Sequence, residues 1–402
     1  MRLRRVRATI LLLVCVTVPT AAQVAFEFSG YVVDLPMYQR LDDSMVRMLN
    51  ATPGLGSYDQ DLGVNLTRLR LRPTLRLWEG ATLALEHETD ALYSSSPMPF
   101  TAAAGATNRQ VVALRWQPVE EDHFTLQHSI DRFYFRQNLS WGSVVVGRQR
   151  IQWGTGRVWN PTDLFNPINP ASFDKIEKDG ADAVSVKLHL GSFTDLQGVV
   201  NFRRARGQKD GASAPDSTNV GLRFRSNFEE FDVALMSGWF DRRMVIGGDF
   251  AGNLFDAGVR GEFLQVFAGE HLRNSDYLRV ILGVDYQITP EWYGLLEYLY
   301  NGEGHTEPSA YQLARLYQGE ILQLNRKYLY AGATYLLHPL VTASAGLLHG
   351  LGDGSGFGSL LATWSSSDNS QLSAGVMLPY GGEMDEYTYY PLSLYLRGEF
   401  HF

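Results

Sequence analysis

The chain has 402 residues, with 35 Lys and Arg against 43 Asp and Glu, a net charge of −8 and a single cysteine. An acidic balance argues against general nucleic-acid binding, which needs clustered cations to neutralise phosphate. One cysteine excludes a disulfide framework.

The N-terminus carries Arg2, Arg4, Arg5 and Arg7, then an apolar run, Ala8–Val18, then small residues ending at Ala22. The run is too short to span a bilayer as a helix, and the layout is that of a secretory signal peptide. Residues 1–22 are therefore expected to be a leader, and 23–402 a single exported domain. Cys15 lies inside the leader behind Val14, where a lipidation site needs a small residue. Loss of the four leader arginines takes the net charge from −8 to −12.

From residue 24 onward the dominant period is two. In Thr67–Leu77, Leu69, Leu71, Leu75 and Leu77 share one face of a strand, and Arg68, Arg70, Arg72 and Arg76 share the other. Similar alternation recurs through Ala181–Leu190, Asn219–Phe224, Leu278–Gln287, Lys327–Leu336 and Leu392–Phe402. Tight connections such as Trp78-Glu79-Gly80 and Leu337-His338-Pro339 alternate with long polar ones at 36–60, 94–127, 154–179, 204–216, 302–323 and 381–390. No apolar stretch of helical membrane length follows the leader. The pattern predicts an all-β, antiparallel transmembrane barrel of about eighteen strands, with short periplasmic turns and long external loops. The number falls to sixteen if the short strand near Met244–Phe250 merges with its neighbours. One strand is expected at 142–153, and Val111–Trp116 is a further short candidate inside the second long loop. Closure satisfies every backbone N–H and C=O within the protein, as a bilayer demands.

If the apolar faces meet lipid, the alternate residues line a lumen. Centring the hairpin on Glu79 sets Arg72 against Glu86, Arg70 against Glu88 and Arg68 against Asp90. A register error of one would place this ladder in lipid, at about 2–4 kcal/mol for each mid-bilayer Arg, so the register is well specified. Arg132 and Arg136 flank Tyr134 on the next strand. Arg148, Arg150 and Gln152 share a face, and so do Arg223 and Arg225. Arg132, Arg136, Arg148 and Arg150 show no acid on the neighbouring strand. The set is read in two ways, as an electropositive constriction favouring anionic or polyhydroxylated solutes, or as a salt-bridged wall that only stiffens the barrel.

The segment Gly147–Pro170 reads GRQRIQWGTGRVWNPTDLFNPINP. Asn160-Pro161-Thr162-Asp163 has the residues of a helix start, and Asn166-Pro167 and Asn169-Pro170 would stop that helix. Val158, Trp159, Leu164 and Phe165 need burial. Loop 154–179 is therefore expected to fold into the barrel mouth, with Trp159 and Asp163 shaping the passage. The stretch GRQRIQWG is similar to a G-R-Q-x-x-x-W-G segment of porin-like outer-membrane families, and the overall plan resembles bacterial outer-membrane porins and alginate-export-like barrels. The terminal alternation ending in Phe400 and Phe402 resembles the C-terminal signal read by the outer-membrane assembly machinery.

These resemblances imply a channel or exporter, located in the bacterial outer membrane among lipid and lipopolysaccharide. The leading expectation is passive diffusion of a small polar or anionic solute. The alternatives are a polysaccharide export barrel and a non-conducting scaffold for a periplasmic partner. No Walker loop, dinucleotide fingerprint, CxxC or HExxH is present. Neither catalysis nor a cofactor nor a metal is expected.

Overall fold

The computed structural model describes residues 24–51, 58–96, 109–165, 177–203, 217–268, 276–317 and 321–402. The leader lies outside the described residues. Nineteen strands follow in chain order: β1 (Ala25–Arg40), β2 (Asp61–Trp78), β3 (Ala81–Ser94), β4 (Arg115–Glu120), β5 (Phe124–Leu139), β6 (Gly142–Gln149), β7 (Ala181–His189), β8 (Asp195–Arg203), β9 (Ser217–Phe228), β10 (Phe231–Phe240), β11 (Arg243–Leu254), β12 (Ala257–Val266), β13 (Tyr277–Gln287), β14 (Trp292–Asn301), β15 (Lys327–His338), β16 (Val341–Gly350), β17 (Gly356–Ser367), β18 (Ser370–Tyr380) and β19 (Leu392–His401). Eighteen of them form a closed antiparallel barrel. β3 pairs directly with β5, and β4 adds to the other edge of β5.

The seam joins the two ends of the chain. β1 pairs with β2 on one side and with β19 on the other. Gly30 and Phe402 exchange backbone hydrogen bonds of 2.9 and 3.0 Å, so the last residue completes the ladder. The strand near residue 244 is full length, Arg243–Leu254, and the sixteen-strand alternative does not arise.

Alternation sorts the two faces. Phe26, Phe28, Leu222, Phe224, Leu282, Leu360, Leu396 and Phe400 point outward and stay exposed. Their neighbours turn inward, into apolar clusters around Trp153 and Trp159 or into ion pairs.

Three local expectations change. The strand expected over 142–153 ends at Gln149, after which the chain leaves the wall. The gap beside β5 is filled by the segment leading into β4, whose strand is Arg115–Glu120 and not Val111–Trp116. The helix expected from Asn160 is only a turn, with Asp163 N–H donating to the Asn160 carbonyl at 3.1 Å. Thr162 gives its N–H and hydroxyl to Glu262, which fastens this turn to the wall. The stop signals at Asn166–Pro170 lie outside the described residues. A short helix, α1 (Asp43–Ala51), occupies the first long connection and packs Met45 and Leu49 against Tyr58, Leu62 and Val64.

Candidate lumen site

The inner wall of β2, β3 and β5 carries a dense ion-pair network. The register sets Arg68 opposite Asp90 and Arg70 opposite Glu88. Arg68 meets Asp90 at 2.7 Å, and Arg70 meets Glu86 at 2.8 Å, Glu88 at 2.7 Å and Asp131 at 2.5 Å. Arg72 pairs with Glu177 and lies 3.6 Å from Glu86. A register shift between Glu86 and His87 leaves Asp131 without a partner on β3. Such a bulge lets consecutive residues face one side, so Asp131 and Arg132 both join the cluster, bonded to each other at 2.6 Å. Asp131 also accepts the Gly180 N–H at 2.9 Å. Glu86, Asp131 and Glu177 sit close enough together to suggest a cation site, but the Arg70 guanidinium already bonds to all three.

Arg132 and Arg148 therefore do have acidic partners, contrary to the sequence reading. For Arg132 the partner is its own neighbour, brought inward by the bulge. For Arg148 it is Asp182 on β7, reached by two bonds of 2.7 and 3.1 Å. The face of Arg148 is also corrected. The register pairs it with the outward Phe133, whereas Val145 pairs with the inward Ser185. An Arg on the outer face of a barrel strand is expensive if lipid meets it. Here segment 109–112 covers it. Val112 accepts from Arg148 at 2.6 Å, and the N–H groups of Val111 and Val112 donate to Asp182 at 2.7 and 2.9 Å. The pair thus seals the wall where β6 departs from it.

Beyond Gln149 the chain lies against the inner wall. Ile151, Trp153 and Phe165 pack on Ala181, Ala183, Val199, Phe240 and Leu264. The Trp153 indole donates to Gln197 at 3.0 Å. Arg150 and Gln152, exposed and hydrogen-bonded to each other at 2.9 Å, occupy the opposite side of this segment and face the interior.

Two carboxylates then fasten the segment. Glu262 on β12 accepts the N–H groups of Thr155 at 2.6 Å, Gly156 at 2.7 Å and Thr162 at 3.0 Å, plus the Thr162 hydroxyl at 2.7 Å. Glu297 on β14 accepts the N–H groups of Arg157, Val158 and Trp159 at 2.8 to 3.0 Å. Gly154, at φ +89°, and Gly156 make the wrap possible. A Cβ at Gly154 would lie 2.7 Å from the Glu262 carboxylate, and one at Gly156 would lie 1.8 Å from the Trp159 carbonyl. Arg260 donates to the Thr155 carbonyl at 3.1 Å, and Arg109 to the Leu164 carbonyl at 3.1 Å.

Trp159 is buried against Ile281, Leu299 and Tyr328, and Asp163 is buried and paired with Lys178. Both act as anchors beneath the segment, with little surface offered to a passage. Arg223 pairs with Asp249 at 3.0 Å and Arg225 with Asp195 at 2.9 Å. Arg136 is exposed, and its guanidinium lies 5.6 Å from the Tyr134 ring centroid. The sequence reading missed Asp131, Glu177, Asp182, Arg109 and the fastening role of Glu262 and Glu297. A usable signal did exist for the last two, since inward acids without a cation opposite are anomalous. Glu262 faces Asp249, and Glu297 faces Gly283 and Tyr330.

At the long-loop end, Glu386 is fully buried and accepts the Leu324 and Asn325 N–H groups at 3.0 Å and the Tyr328 hydroxyl at 2.5 Å. Burial pushes its carboxyl up to about 7, against the downward pull of these hydrogen bonds. His87 lies on the outer face, stacked on His128, with Trp116 beside both.

No protein-family model matches the chain, and no curated protein matches its sequence. Among solved structures it is similar to OccAB4 of Acinetobacter baumannii, with 9% identity, 96% of this chain and 99% of that chain covered and a TM-score of 0.56. OccAB1 of the same organism gives 9% identity, 93% and 96% coverage and a TM-score of 0.53. A Rhodopseudomonas blastica porin variant aligns more loosely, at 13% identity, 94% and 100% coverage and a TM-score of 0.48. At these identities the likeness is one of fold.

Proposed function

We propose that the chain is a passive channel of the bacterial outer membrane, carrying small polar solutes through a lumen narrowed by the segment after β6. The observation that carries this reading is the sorting of side chains around a closed wall, with apolar residues outward and charged residues inward, together with a segment fastened to the inner wall. Such a wall suits lipid outside and water inside. Outer-membrane lipid and lipopolysaccharide would contact the outer face, and the assembly machinery would read the terminus at Phe402.

The pore-lining roles divide. In the β2–β3–β5 cluster, the guanidinium groups of Arg68, Arg70, Arg72 and Arg132 meet the carboxylates of Glu86, Glu88, Asp90, Asp131 and Glu177. This cluster stiffens the wall and contributes no net positive field. Any anion preference then falls to the exposed Arg136 and Arg150 and, less, to Arg157, whose side chain is 54% exposed but lies 4.0 Å from Asp285. Planar-bilayer recording of refolded protein tests the reading, with discrete conductance steps and a weak anion preference in a salt gradient as the expected result. A silent bilayer would refute it. The non-conducting scaffold is the second reading, supported by the burial of Arg68, Arg70 and Arg132 and by the contacts of Arg70 with Glu177 and Arg132 with the Lys178 carbonyl. A wide polysaccharide export pore, as in the alginate-export-like resemblance, fits poorly with an inward segment pinned at Glu262 and Glu297.

A further inference from the structure

We infer that Glu262 and Glu297 are positioning residues for the constriction. They hold segment 154–162 in place by filling two pockets of backbone N–H groups, whereas the Arg network on the opposite wall bonds the far end of the same connection at Glu177 and Lys178. The inference rests on the channel reading for its consequence, but not for its geometry. Each carboxylate accepts three backbone N–H groups from the segment. No cation lies within ion-pair distance of either among the described residues. A charged acceptor with several donors is stronger than a neutral pair, and successive N–H groups curving round one anion form a favourable cradle. The other ties of the segment include the packing of Trp159 and the Asp163–Lys178 pair. Its own carbonyls make few cross-links, of which Thr155 to Arg260 at 3.1 Å is one. Remove both side chains and six N–H groups lose their acceptors at once; replace both by Gln, keeping Oε1 as the carbonyl oxygen, and the Arg157 and Thr162 N–H groups face an amide NH₂.

A neutral amide tests the cradle without changing size. In Glu297→Gln, one oxygen can still serve Val158 and Trp159, but the amide NH₂ would point at the Arg157 N–H, and the same conflict arises in Glu262→Gln. Hydrogen exchange by mass spectrometry on detergent-refolded protein reads peptide 154–165 directly, whether or not the barrel conducts. The expected result for the double variant is exchange at least tenfold faster in 154–165, with β13 and β15 unchanged. In a bilayer the same variant should show larger or noisier open-channel current. Glu297→Asp should restore part of the protection. Exchange at the wild-type rate would overturn the inference. So would equal loss of protection in the neighbouring strands, which would make both residues general wall supports. If the double variant fails to refold, Glu297→Gln alone is measured against the same two outcomes. Absence of any current in the wild type would count against the channel reading only, since the exchange result stands without it.

Discussion

The two sides of the lumen use carboxylates in opposite ways. On β2, β3 and β5, acids face guanidinium groups across the strands, and the charges cancel within the wall. On β12 and β14, Glu262 and Glu297 face no cation and spend their lone pairs on the backbone of another segment. The first arrangement makes the wall rigid and electrically quiet. The second makes the wall a dock. An inward acid without a cross-strand cation therefore marks where something else must arrive.

The sharpest way to break the comparison is Arg70→Ala. It leaves Glu86, Glu88, Asp131 and Glu177 facing one another in a site where Arg70 is only 2% exposed. Removing one partner of a buried ion pair costs about 3–5 kcal/mol, so the unfolding midpoint in denaturant should drop accordingly, with 154–165 still protected from exchange. Loss of that protection would merge the two walls into one unit. Arg148→Ala comes next, at about 2–4 kcal/mol by the same argument, because Asp182 keeps the Val111 and Val112 N–H groups. Exchange should rise first in 109–116, and a change confined to the lumen segment would contradict the wall-sealing role.

A smaller effect sits at the long-loop end. The Glu386 carboxyl titrates near 7 when folded, against an ordinary value of 4.5. Since the folded value is raised, its stabilising contribution is complete below 4.5 and is lost as pH rises through about 7. Exchange at Leu324 and Asn325, corrected for the intrinsic rate, should quicken between pH 5 and 8, and Glu386→Gln should abolish that dependence. A flat profile in the wild type would remove Glu386 as its cause. The smallest effect is expected for Arg225→Gln. Its side chain is 45% exposed, and exposed pairs contribute about 0–1 kcal/mol, so the unfolding midpoint should barely shift; a drop as large as that of Arg148→Ala would contradict this.

Much of the barrel was legible from alternation alone. The hairpin of β2 and β3 shows why: opposite charges on the two strands pair Arg68 with Asp90 and Arg70 with Glu88, and a register shift between Arg76 and Trp78 beside the turn accommodates that pairing. β6 shows the limit. Its tight hairpin with β5 sets Arg148 opposite Phe133 and Val146 opposite Phe135, but which face of β5 looks outward past residue 131 depends on the bulge there, so charge is a poor guide to the inner face of Gly142–Gln149. Arg148 was assigned to the lumen on its charge, and the pairing puts it on the other side. The bulge at Asp131 was equally silent, because it is defined by a count of residues on two strands.

By itself the sequence determined the period-two sorting, the closed sheet that such sorting needs, and the registers of the tight hairpins, since each rests on neighbours within a few residues. Only the tertiary structure decided where the chain leaves the wall, which carboxylates receive it and which arginines are neutralised. Thr155 meets Glu262 across 107 residues and Trp159 meets Glu297 across 138. Contacts at that separation exist only after the sheet has closed and brought the strands to one lumen.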